Sequence, residues 1–408
     1  MPLNLTEASG ILKEFYLPKI REQINNKTML LNQLGRNSDD VEGAEAVLSL
    51  HVRRNAGVGN ISDGGTLRTP GNQRHVKQRV PLRTITGRIR FTVQTMKAMK
   101  SNRSSWERTA TNETKGMTKD IRRDLNRQLA GTSEGTIATT AANAAVNIIV
   151  LTAATTGDVK MRQLEEGMFV DISSAATPGD AAKAANREIT AVNLAARTIT
   201  LAGAAITTAA GDRVERQGNG GAVGGTTQKE WTGLQTIVSD TGVLFGLDPA
   251  TTSVWKSYVD NPGGAGRTVT ENLLEKAQDE VDIRGDGTIG LWLTSHGVSR
   301  NYSTQLTSLK RFPATLTLKG GFKALSVSSG VGEAALIAER DIPNGTAYGI
   351  DTDHLEVKEW CPLEWLEDPE VLRQTPDKLE YEGTAYWIGD LVTDARNAHA
   401  FVGTLAES

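Results

Sequence analysis

Apolar residues recur at helical spacing through residues 104–131, where Trp106, Ala110, Met117, Ile121, Leu125 and Leu129 draw a narrow stripe along a polar run. Ser104 or Ser105 suits the first free amides, Glu107 the positive helix end, and Gly131 a left-handed stop. At ~1.5 Å per residue such a rod is about 40 Å long. A stripe that narrow leaves much of the rod free for other segments or other subunits. It reads as a strut, with an ordinary surface helix of an enzyme as the competing reading. Upstream, Ile11, Leu12, Phe15, Tyr16, Ile20 and Ile24 keep helical spacing, Pro18 interrupts them, and Leu30, Leu31 and Leu34 follow. No strand partner lies nearby, so residues 1–42 are expected to be an N-terminal arm that packs on a neighbouring subunit.

Between the two helical patterns the period changes to two. Residues 47–52 alternate, a tip rich in glycine and polar residues spans 55–73, and residues 76–93 alternate again through Val80, Leu82, Ile85, Ile89, Phe91 and Val93. This predicts one long two-stranded hairpin within residues 43–100, which needs a surface to lie on. The strut and its flanks cover 101–135. Short β-runs with Gly or Asp turns then fill an Ala- and Thr-rich stretch, predicting a small inserted β-rich domain over 136–228. Its exit, the glycine run at 218–225, reads as a flexible linker. Residues 229–362 turn α/β: a helix over 268–283 opens at Thr270, a buried strand covers 290–294, and Ser295 starts another helix. Residues 363–408 hold two long strands, 385–391 and 399–405.

Charge sharpens this picture. The 408-residue chain carries a net charge of −3, yet residues 51–100 hold eleven Lys or Arg against Asp63 alone, a net +10. Residues 351–382 hold eleven Asp or Glu against three Lys or Arg, a net −8. Opposite fields on two segments of a near-neutral chain point to docking of one copy on another, with Arg79, Arg83, Arg88 and Arg90 facing Glu364, Glu367 and Asp368 across subunits, and Phe15 and Ile20 supplying apolar contact. The alternative, phosphate neutralisation in nucleic acid, lacks the aromatic interleaving that base stacking requires.

Catalytic chemistry finds little support. The five histidines never fall at metal-ligand spacing and Cys361 is the only cysteine, so no metal site and no disulfide framework is expected. Ser295 beside His296 fits a helix cap better than a nucleophile and base. The glycine run lacks a following Gly-Lys-Ser/Thr, and the carboxylates near Trp360 and Trp365 fit an acidic patch over core tryptophans better than a glycosidase cleft. No cofactor, catalytic residue or membrane span is expected.

The order of parts resembles the major capsid proteins of tailed double-stranded DNA phages. Their Hong Kong 97-like fold is α+β: an N-arm, an extended β-hairpin loop, a long spine helix, and axial and peripheral domains. The runs TVTENLLEKAQDEV…GLWLTSHGVSRNYSTQL and ALIAERDIPNGTAYGIDTDHLEVKEW are similar to the axial domain, at 229–362. The resemblance implies that 363–408 returns to the peripheral domain, and it leaves 136–228 as a departure. It further implies a structural, non-enzymatic protein forming pentamers and hexamers of an icosahedral head around DNA. Expected partners are its own copies, a separate scaffolding protein, portal and decoration proteins, and DNA packaged without sequence specificity. The expected location is the virion shell, assembled in the host cytoplasm. Encapsulin nanocompartment shells share the fold and are the nearest alternative. A nucleic-acid-binding protein is the alternative of another class.

Overall fold

The computed structural model describes residues 28–38, 41–42, 45–94, 103–152, 161–223, 228–285, 287–308, 315–317, 323–328, 330–367 and 373–407. The predicted strut is a helix, α2 (Arg103–Ala130), 28 residues long. Ile121, Leu125 and Leu129 are buried and Met117 packs against the same core, whereas the side chains of Trp106 and Ala110 lie outside the described residues. The left-handed residue after the helix is Ser133, at φ 68°, and not Gly131, whose amide instead donates to the Gln128 carbonyl.

Ahead of α2, a short helix α1 (Met29–Gln33) buries Leu30 and Leu31 against it. The strand β1 (Gly35–Asn37) then pairs in parallel with β20 (Leu355–Trp365). The end of the expected arm is therefore part of this subunit's own core; Phe15 and Ile20 lie outside the described residues. Strand β2 (Val41–Glu42) joins β3 (Glu45–Arg53) and β4 (Arg74–Pro81) in a three-stranded arm.

The predicted hairpin is corrected at Leu82. β3 and β4 pair from Glu45↔Pro81 outward, but β5 (Arg83–Thr92) leaves them and pairs with β22 (Glu380–Thr393) from Thr92↔Glu380 to Arg83↔Gly389. Pro81 has no amide to continue a ladder, and the long C-terminal strand offers β5 ten partners. A five-stranded sheet results, holding β1, β20, β22, β21 (Arg373–Gln374) and β5. The helix α2 lies on β5. Gly87 makes that approach possible, because a Cβ there would sit 2.7 Å from Ile121 Cδ1 and 3.0 Å from Met117.

Residues 136–216 build a sheet of their own from β6 (Thr136–Thr139), β8 (Ile148–Val150), β9 (Phe169–Ser173), β10 (Ala184–Asn193), β11 (Thr198–Leu201) and β13 (Arg213–Arg216), with β7 (Asn143–Val146) and β12 (Ile206–Thr208) as a separate pair. A Thr140–Leu151 bridge links its ends, and Ile137, Ile149, Val170, Ile172, Ile189, Ile199 and Val214 fill a separate core.

The remaining unit follows a short helix α3 (Leu234–Ile237) that packs on α2. A seven-stranded mixed sheet runs β14 (Tyr258–Asp260), β23 (Ala400–Val402), β19 (Ala347–Ile350), β15 (Leu291–Thr294), β18 (Glu333–Ala338), β17 (Lys323–Ser328), β16 (Thr315–Thr317). Helices α4 (Glu271–Gly285) and α5 (His296–Ser308) accompany it. Thr270 Oγ1 caps α4 by accepting the Leu273 amide at 3.2 Å. Leu274, Ala277 and Val281 join Trp292 and Tyr302 in one core. The C-terminal region is thus shared. β22 returns to the five-stranded sheet, but β23 crosses into the seven-stranded one, contrary to the expectation that 363–408 returns whole to the peripheral side.

Candidate assembly surfaces

The arm β2–β4 presents the surface on which most of its basic side chains stand exposed. Its root is closed: Ala46 and Val80 are fully buried, and buried Gln78 donates from Nε2 to the Thr393 carbonyl at 2.9 Å. Beyond the root, Arg53, Arg54, Arg68, Arg74 and Lys77 are exposed. So are three apolar side chains of the tip, Val58 (81% exposed), Ile61 (50%) and Leu67 (80%). Large apolar groups standing in water among cations make this tip a candidate contact surface. Sequence reading missed them because a Gly-rich tip carries no periodicity.

The four arginines expected to face a neighbour separate into three environments. Arg79 stands exposed on the arm, its Nη1 3.3 Å from Glu45 Oε2 on the adjacent strand. Arg83 is buried with Asp390 as its ion-pair partner, and Asp390 also accepts the Thr232 amide at 2.5 Å and its hydroxyl at 2.9 Å. Arg88 donates to Glu382 at 2.7 Å, and Arg90 sits 3.4 Å from Glu380 and 3.5 Å from Glu382. These contacts lie within one chain, along the β5–β22 ladder. The assignment of Arg83 to an inter-subunit surface is therefore corrected, and part of the opposed charge of Arg88 and Arg90 is met internally. The Arg88 hydrogen bond holds the Glu382 carboxyl below its usual range, with help from Arg90.

On the acidic side, Glu364 and Glu367 are exposed, and Asp368 lies outside the described residues. Glu364 accepts from the Cys361 thiol at 2.8 Å and from the Tyr386 hydroxyl, and these bonds hold its carboxyl down. The expected core tryptophans are not a matched pair: Trp360 is 54% exposed and Trp365 half-buried. Leu379, just before β22, is 74% exposed. A strand with one wet face explains the result, since successive side chains of β20 alternate sides.

A third site joins the inserted sheet to the rest. Arg127 of α2 bridges Asp124 at 3.0 Å and Glu230, while Arg216 at the end of β13 reaches Asp124 at 2.7 Å. Burial would raise the Asp124 pKa, but Arg127 and Arg216 outweigh it and hold the group at about 2. Beside it, Asn126 donates to Glu339 at 3.3 Å and Asp341 at 3.1 Å, and accepts the Leu31 amide at 3.2 Å. Gln163 of the inserted region also donates to Asp341, at 3.2 Å. Burial, reinforced by Asp341, pushes Glu339 up to about 7. The glycine run is not a free linker where described: Gly218 donates to Asp171 at 2.8 Å and Gly221 to the Glu134 carbonyl at 3.2 Å. A Cβ on Gly220 would meet Glu215 Oε2 at 2.0 Å, so its glycine serves close packing.

A long helix on a five-stranded sheet, an arm projecting from that sheet, and a mixed seven-stranded unit define the Hong Kong 97-like fold of capsid and encapsulin shells. No family model matches the sequence, and no curated protein does. Among solved structures the chain is similar to the cyanophage A-1(L) capsid asymmetric unit, with TM-score 0.58 and 12% identity over 99% of both chains. The holo-SrpI encapsulin complex of Synechococcus elongatus gives TM-score 0.51 and 10% identity over 100% of this chain and 98% of that one. The capsid of the native GTA particle gives 0.51 and 11%, over 98% and 97%. The likeness is one of fold.

Proposed function

We propose that this chain is a major capsid protein, self-assembling into pentamers and hexamers of an icosahedral shell that encloses the double-stranded DNA of a tailed phage. The observation that supports the reading is the agreement of fold with a capsid subunit over nearly the full length of both chains. A free basic and apolar arm tip on one side and an acidic, Trp360-bearing face on the other supply the unlike surfaces that a head-to-tail ring needs. In this reading Arg79 and the tip of one copy approach Glu364, Glu367 and Trp360 of the next. Many such weak contacts hold a closed shell together, because each fixed contact raises the effective concentration of the others.

Electron microscopy of the purified chain, with native mass spectrometry of its soluble oligomers, tests this. Pentamers, hexamers and closed icosahedral shells are the expected result. A chain that stays monomeric at every concentration, alone and with the other head proteins of its genome, would overturn it. Shells that close around protein cargo and never take up DNA would replace it with the encapsulin reading.

A further inference from the structure

The arm is held to the body beside an unusual turn. Leu244 and Leu247 exchange both backbone hydrogen bonds, at 3.0 and 2.9 Å, so Phe245 and Gly246 form a two-residue loop with φ of 52° and 81°. Two positive φ angles in a row are the mark of a type I′ turn, where Asn or Gly ordinarily takes the first position. A bulky aromatic there is a true outlier. Phe245 is buried all the same, and its carbonyl accepts the Arg79 amide of β4 at 3.3 Å. Arg79 lies opposite Val47 in the β3–β4 ladder, yet its N–H bonds to the turn. A cavity of about 220 Å³ lies beside this bond, lined by Glu45, Arg79 and Pro81 on the arm side and Leu244, Phe245 and Gly246 on the body side. The arm's edge therefore meets the turn through this backbone bond beside the cavity, next to the apolar core that Ala46 and Val80 share with Leu244 and Phe245.

We propose that the Leu244–Leu247 turn is a latch that fixes the angle of the β2–β4 arm at its root. Backbone outliers persist only where surrounding structure over-determines them, and they concentrate at switches and clamps. Here the buried Phe245 ring holds the turn, and the turn aims one carbonyl at the arm. When that bond opens, the cavity gives the arm room to tilt about Leu82, while Arg83 stays pinned to Asp390. The latch is a property of the single chain. Only its consequence, the reach of the arm toward a neighbour, rests on the capsid reading.

Hydrogen exchange of the unassembled full-length chain tests the latch whether or not shells form. Arg79→Pro deletes the single N–H at an edge position that tolerates proline, and Arg79→Ala removes the charge but keeps it. In Arg79→Pro, protection across residues 45–53 and 74–81 is expected to fall about fivefold or more, the loss of one hydrogen bond. Arg79→Ala and the α2 amides of both variants should match the parent. If Arg79→Pro does not fold, Gly246→Ala serves: no atom lies within 4 Å of the added Cβ, so only the turn's backbone is strained. It should loosen the same two segments and spare α2. Unchanged arm exchange in the folded variants, or loosening shared equally by α2, would overturn the proposal.

Discussion

Arg83 and Glu339 show how burial decides the value of a charge. Arg83 and Asp390 are enclosed together, so removing one strands the other in a low dielectric. Asp390→Ala should cost ~3–5 kcal/mol. Arg88→Ala, whose side chain is 59% exposed, should cost no more than ~1 kcal/mol in the same urea titration. Equal costs would mean that the two pairs share one environment. Glu339 carries the opposite lesson, since burial and Asp341 raise its folded pKa from 4.5 to about 7. A raised acid favours folding while protonated, so its contribution is complete below pH 4.5 and is lost as pH climbs through 7. Stability should therefore fall by up to ~3 kcal/mol across that window in the parent. Glu339→Gln should remove this part of the slope in thermal melts from pH 4 to 8, and an unchanged slope would assign the dependence elsewhere.

At the level of elements, the inserted sheet enters and leaves through one point. Gly221 donates to the Glu134 carbonyl at 3.2 Å, so the two ends already touch. Replacing residues 136–218 by a short Gly/Ser linker closes a small loop at little entropic cost. The shortened chain is expected to stay soluble and cooperative, because the excised core is separate from the two cores of the five- and seven-stranded units. It should lose ~1–3 kcal/mol, since Arg216 no longer faces the largely enclosed Asp124. Circular dichroism melts decide: loss of the transition would make the inserted sheet part of the main core. At the same end of α2, truncation before Thr28 should leave the fold intact. Truncation through Gly35 should not, because Leu30 and Leu31 are buried on α2 and each such leucine is worth ~2–5 kcal/mol.

For the molecule as a whole, the arm tip is the place where folding and assembly come apart. Val58, Ile61 and Leu67 contribute little to the subunit because they stand in water. Changing all three to Ser should leave the melting temperature of the unassembled chain unchanged while blocking shells in electron micrographs. Assembled shells from that variant would place the contact surface elsewhere. The exposed basic groups of the arm act over about a Debye length, so assembly should also slow as salt rises from 0.05 to 0.5 M.

Periodicity alone determined much of this chain. The helical stripe around Leu125, the alternation of β3 and β4, the run at 198–201 and the Thr270-capped helix are local patterns, fixed by spacing and capping within a few residues. The order of those parts was enough to resemble a capsid fold. What the tertiary structure decided depends on partners far along the chain. Whether 83–92 continues the hairpin or joins β22 turns on a strand some three hundred residues away, and period-two alternation is the same for either partner. For the same reason the sequence opposed Arg88 to the acidic segment that holds Glu382 but did not show that the two meet inside one chain. The glycines at 218–221 read as a linker because composition registers the missing Cβ and not the backbone packed against it. Phe245 gave no signal at all: a left-handed aromatic is unfavourable locally, and only the buried surroundings that hold its ring make the turn, and the arm that rests on it, possible.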